Sequence, residues 1–172
     1  MPAPAPAIGG IAVAALLALA GMTPARAETD VPLGYLLMCL QLPEECEAGG
    51  TSTLVVDGEV AATLERINSS VNRAITPRED QGADVWSVSV SAGDCEDYVL
   101  AKRHALIASG LPPSALRIAY VQTPAQEGHA ILVVKTDTED LVLDNLSGSV
   151  RSLSESGYHI ISMSGPDPLV WS

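Results

Sequence analysis

Gly93-Asp94-Cys95-Glu96-Asp97-Tyr98 sets a lone cysteine among carboxylates at the point where a loop gives way to a helix. Asp94 is a favoured N-cap residue and Asp97 stands three residues later, close to a capping box. Gly110 and Pro112-Pro113 supply the stop, so the spacing predicts a helix over about 95–109. Cys95 then takes the first helical position, where the backbone N–H has no intrahelical acceptor. Such N–H groups favour a thiolate and can hold an oxyanion, whereas Asp94, Glu96 and Asp97 oppose the thiolate by their charge. A plainer reading fits the same residues: the carboxylates cap the helix and Cys95 is a small filler.

Downstream, residues 117–122, 129–135, 141–145 and 158–162 are short, β-branched runs bounded by polar or glycine turns, and read as an antiparallel sheet. Thr136-Asp137-Thr138-Glu139-Asp140 is a hairpin connection. Pairing Thr136 with Glu139 puts Asp144 opposite Ile131, two residues from His129 on the same face, at a diagonal of roughly 7–8 Å. A loop one residue longer or shorter would move Asp144 to the other face. In the first register a thiol, a histidine and an aspartate have the types needed for a nucleophile, its base and the group that orients the base. His104, nine residues after Cys95 on the same helix, points roughly opposite. His159 opens a later strand and is a weaker substitute.

Upstream, Val60, Leu64, Ile67, Val71 and Ile75 recur at three- and four-residue steps, predicting a helix from about Asp57 that Thr76-Pro77 ends. Residues 28–56 read as irregular, punctuated by Pro32, Pro43 and a Gly49-Gly50-Thr51-Ser52 loop. Residues 78–93 read as a polar loop holding Trp86. With no Phe and six other aromatic residues, the core is expected to rest on Leu, Val, Ile and Ala. No internal repeat is present.

At the N-terminus, Ile8 to Met22 is an apolar run too short to span a bilayer, which takes roughly 20 residues. Ala25-Arg26-Ala27 has the small-x-small pattern of a cleavage site, so residues 1–27 read as a signal peptide and 28–172 as a single domain. No Lys or Arg precedes Ile8; uncleaved, the same segment would be an N-terminal anchor. Net charge is −12, which weighs against nucleic acid or anionic membrane as partners. A periplasmic or secreted protein without stable membrane insertion after cleavage is the expectation. Cys39 and Cys46 are close enough to close a small disulfide loop, the alternative being two reduced thiols, and Cys95 has no local partner either way.

Gly-Asp-Cys-Glu-Asp-Tyr at 93–98, His-Ala-Ile-Leu-Val-Val at 129–134 and Leu-Val-Leu-Asp-Asn-Leu at 141–146 resemble the bacterial transglutaminase-like cysteine proteinases. Val-Asn-Arg at 71–73, Asp84-Val85-Trp86 and the Cys39/Pro43/Cys46 segment extend the resemblance over about 35–165. It implies an α+β, papain-like or transglutaminase-like core, its nucleophile helix packed on an antiparallel sheet. It also implies a Cys95, His129 and Asp144 triad, with the Trp86 indole as a candidate oxyanion donor. Better-known members are periplasmic, calcium-dependent proteinases that cut large surface adhesins and release biofilm cells. Asp94 and Glu96 match the positions of their calcium ligands, with Asp97 as a further candidate. The implied function is an exported cysteine endopeptidase acting on a protein substrate through a thioester acyl-enzyme. Transfer of the acyl group to an amine, as in a transglutaminase, uses the same parts, and a catalytically silent calcium- and peptide-binding module shares the fold. A redox role for Cys39 and Cys46 is weak without Cys-x-x-Cys spacing. Ser-Val-Ser-Val-Ser at 87–91 departs from the proline-containing segment usual in the family.

Overall fold

The computed structural model describes Met1 and residues 29–172. The expected signal peptide at 1–27 and its cleavage point lie outside the described residues. In chain order the elements are α1 (Leu33–Gln41), a 3-10 turn (Pro43–Cys46), α2 (Gly58–Ala74), β1 (Thr76–Pro77), β2 (Ala92–Gly93) and α3 (Cys95–Ala108). A second 3-10 turn (Pro113–Ala115) precedes β3 (Leu116–Gln122), β4 (Gly128–Val134), β5 (Leu141–Leu143), β6 (Arg151–Ser152) and β7 (His159–Met163).

α2 begins as its sequence directs: the Asp57 carboxylate accepts the Glu59 and Val60 N–H groups at 3.0 and 2.8 Å. Leu64 and Ile67 carry its buried face. α3 also follows its signals, ending where Gly110 turns to φ +91° and the Leu111 N–H bonds back to the Leu106 carbonyl at 3.1 Å. The segment expected to be irregular holds one regular helix, α1, and a 3-10 turn, while residues 47–56 are irregular as expected. α1 forms there without a side-chain cap, because Tyr35 and Met38 are buried against the rest of the fold and tertiary packing replaces local propensity. Gly34 permits the approach: a Cβ there would fall on the Trp86 indole. A Cys39–Cys46 disulfide ties α1 to the turn that follows it.

The sheet runs β6-β5-β4-β3-β7, each pair antiparallel. β4 and β5 pair Leu132 with Leu143, Val133 with Val142 and Val134 with Leu141, the register read from the hairpin. β6, β1 and β2 were not foreseen; two-residue strands carry no periodic signal. β1 and β2 pair in parallel, fastening the end of α2 to the residues just before Cys95. One hydrophobic cluster includes Leu64, Leu100, Leu106, Ile118 and Leu132; a second, smaller one holds Ala119, Val121, Ile131, Val133 and Val142.

The core is less purely aliphatic than its composition suggests. Trp86 lies 5.5 Å from Tyr35 and 6.0 Å from Tyr120, and Trp171 lies 6.1 Å and 6.2 Å from the same two tyrosines, between ring centroids. Few aromatic rings are present, and most of them are spent in one cluster behind the cleft described next. No helix among the described residues is long and apolar enough to cross a membrane.

Candidate active site

Cys95 opens α3 and His129 is the second residue of β4, and the two line one cleft of about 410 Å³ with Glu96, Tyr120, Val121, Gly128, Ile161 and Ser162. His129 is buried, and its Nε2 lies 2.8 Å from Oδ1 of Asp144, which is 1% exposed. With Nε2 committed to Asp144, Nδ1 is the ring nitrogen left for a thiol.

Asp144 is the most heavily held side chain in the site. Besides His129, the Leu146 N–H donates to it at 2.9 Å, the Tyr158 hydroxyl donates to Oδ2, and Arg151 Nη2 reaches Oδ2 at 3.4 Å. Burial pushes its carboxyl up, but hydrogen bonds from His129, Tyr158 and the Leu146 N–H outweigh burial and bring it down to about 2. Its backbone is pinned too, donating N–H to Asn68 at 3.1 Å and accepting from Asn72 at 2.9 Å, both on α2. Tyr158, Arg151, Asn68 and Asn72 escaped sequence reasoning, since each is an ordinary polar residue until the chain brings it to Asp144. Val-Asn-Arg at 71–73 was the one trace of them.

The thiol is not free. Cys95 Sγ donates to Glu96 Oε2 at 2.9 Å, and the Tyr120 hydroxyl donates to Oε1 of the same carboxylate at 3.1 Å. Burial and then the Glu96 charge and hydrogen bond push the Cys95 thiol far up, only partly offset by the Ala130 N–H. Burial and the Glu96 carboxylate both favour the protonated thiol here.

The three acidic residues expected to bind metal separate in space. Asp94 makes no cap hydrogen bond despite its N-cap position. Its carboxylate instead joins Asp80 and Asp84, one oxygen from each lying within 4.8 Å of the others. Burial, followed by Glu96 and Asp97, raises Asp94 to about 7. Glu96 faces the thiol and Tyr120. Asp97 is buried and accepts the Ser87 N–H at 2.8 Å, so it serves the loop and the helix start. Asp80 and Asp84 were missed because they lie ten or more residues upstream, in a loop whose path no periodicity reveals.

Trp86, the expected oxyanion donor, is 4% exposed and does not line the cleft. Its indole N–H donates to Asp84 at 3.0 Å. A buried indole needs a partner, and the residue two positions back supplies it. Trp86 therefore supports the cleft from behind through Tyr120. His104 points away from Cys95, as its helical spacing requires, and pairs with Glu45. His159 is exposed at the start of β7.

An α+β fold that sets a helix-terminal thiol and a sheet histidine around one cleft defines the transglutaminase-like cysteine peptidases as a class. The chain belongs to the bacterial transglutaminase-like cysteine proteinases (BTLCP), whose family model matches residues 25–172. Among solved structures it is similar to calcium-bound LapG of Legionella pneumophila, at 27% identity and a TM-score of 0.54, over 60% of this chain and 64% of that one. EGTA-treated LapG of the same organism matches at 26% identity and 0.54, over 60% and 62%. The chain thus matches less than two thirds of the LapG length. A search of curated proteins finds no match.

Proposed function

We infer that this chain is an exported cysteine endopeptidase in which Cys95 is the nucleophile, His129 the general base and Asp144 the residue that orients it. The observation that carries this reading is the 2.8 Å contact from His129 Nε2 to Asp144 in the cleft that also holds Cys95. His129 takes the Sγ proton, and sulfur attacks the carbonyl carbon of a substrate peptide bond. The Cys95 backbone N–H, at the helix start, is placed to hold the oxyanion. Collapse of the tetrahedral adduct breaks the C–N bond, with His129 returning its proton to the departing amine. Water activated by His129 then cleaves the thioester and restores the thiol.

Asp80, Asp84 and Asp94 fit a calcium ion: all three offer hard oxygen ligands, and none forms a salt bridge among the described residues. Bound there, the ion supplies positive charge that neutralises the acidic loop beside Cys95. Asp94 and Glu96 flank Cys95, and the Glu96 charge acts on Asp94 as well as on the thiol, so a cation at the cluster would relieve both. The calcium-bound relative supports this assignment. Family resemblance points to a surface adhesin as the protein substrate and to the periplasm or exterior as its place.

The deciding experiment compares wild-type and Cys95→Ala protein on casein and on adhesin fragments in calcium. Cleavage by wild type alone, unaffected by added amine, supports the endopeptidase. Amine incorporation instead of cleavage would make the chain a transglutaminase. Undiminished partner binding by both proteins, with no cleavage by either, would make it a binding module.

A further inference from the structure

β7 is an edge strand, paired in its sheet with β3 alone, and its register slips midway. Tyr120 pairs with Ser162, whereas Val121 pairs with Ile160, leaving Ile161 as an extra residue in a β-bulge. The consequence is visible in where the side chains go. A regular strand sends alternate residues to opposite faces, so Ile160 and Met163 should point apart. Both pack against the second hydrophobic cluster, and the two residues between them, Ile161 and Ser162, line the active-site cleft together. The bulge is what re-aims Ile161. Its side chain is 60% exposed, an unusual place for isoleucine, on a strand whose other aliphatic residues are at least partly covered.

We propose that Ile161 is a specificity-determining residue, forming the wall of a subsite that takes an aliphatic side chain of the substrate next to the scissile bond. This rests on the endopeptidase reading and extends it to substrate class. Four observations converge on the chemistry: the cleft contains Cys95 and His129; Tyr120 and Val121 line it together with Ile161; Gly128 adds no side chain; and Glu96, the one carboxylate there, is engaged by Cys95 and Tyr120. A substrate side chain in that corner meets hydrocarbon. Burying an aliphatic group against Ile161 removes water from both surfaces, whereas a charged group would be desolvated without a partner.

The test is cleavage profiling of wild-type protein on a proteome-derived peptide library, alongside Ile161→Asp and Ile161→Trp. Wild type is expected to enrich aliphatic residues at one position flanking the cut. Ile161→Asp should shift that position toward Lys and Arg by about tenfold, and Ile161→Trp should discriminate by a similar factor against the larger aliphatic side chains. Because Ile161 is exposed, both variants should keep the wild-type melting temperature, and Ile161→Trp, which adds no charge, should also keep the wild-type rate of Cys95 alkylation. Active variants with an unchanged profile would overturn the assignment and leave the endopeptidase intact. A wild-type protein that cleaves nothing in calcium would remove both.

Discussion

Asp144 gathers donors from His129, Tyr158, Arg151 and its own loop, and every one of them favours its charged form. A carboxylate held down in this way contributes stability that is fully present above the unfolded pKa of 3.8 and is lost as pH falls through about 2. Tyr158 does more than fill space. Its hydroxyl donates to Oδ2, Arg151 bonds that hydroxyl at 3.0 Å, and its ring lies 6.0 Å from the His129 ring. Tyr158→Phe keeps the ring and removes one charge-assisted hydrogen bond. We expect kcat/KM to fall by about tenfold with KM little changed, since such bonds contribute about 1.5–3 kcal/mol. The pH–rate profile should move as well, a readout that lost packing alone would leave in place. Of the residues that meet at Asp144, the sequence made His129 legible, because a hairpin register is local. Tyr158 and Arg151 were not, because nothing in their own segments distinguishes them from surface polar residues.

α3 carries Cys95, the proposed nucleophile, at one end and a buried lysine in its middle. Lys102 is 0% exposed, its Nζ has no hydrogen-bond partner among the described residues, and it sits 5.8 Å from the Tyr98 ring centroid. Burial lowers it to about 7, against the pull of the Asp144 charge. Between about pH 7 and 10.5 the unfolded chain binds this proton and the folded chain does not, so stability from this group rises with pH across that window. Lys102→Met keeps the stem and deletes the charge. It should stabilise the protein at pH 6 by about 1–3 kcal/mol, the cost of a buried unsatisfied donor, and by little at pH 10. Denaturant melts at the two pH values check this; equal effects at both would show that the charge is not the cause. α1 belongs to the same scale. Its helix was unreadable because it has no cap and forms on the buried faces of Tyr35 and Met38, partners that only the folded chain provides.

Over the whole molecule the charge is −12, and the cluster of Asp80, Asp84 and Asp94 concentrates part of it beside the cleft. A ligand that binds only the folded form stabilises it by about 2.7 kcal/mol at a hundred times its Kd. For a domain of this size that is roughly 5–10 °C in melting temperature. Calcium should therefore raise Tm and give a binding isotherm by calorimetry, and Asp84→Asn should weaken both. An unchanged Tm and no binding heat would remove the cluster as a calcium site.

By itself the sequence determined α2, α3, the β4–β5 register and hence the pairing of His129 with Asp144, together with the position of Cys95 at a helix start. Each of these follows from patterns within a few turns of helix or one hairpin, where periodicity and capping act directly. Only the tertiary structure decided which carboxylates share a cation site, that Glu96 holds the thiol, that Trp86 backs the cleft, and that a bulge aims Ile161 into it. Those outcomes depend on where loops of no fixed period place polar groups, and a buried donor or acceptor takes whichever partner the packed chain brings within reach.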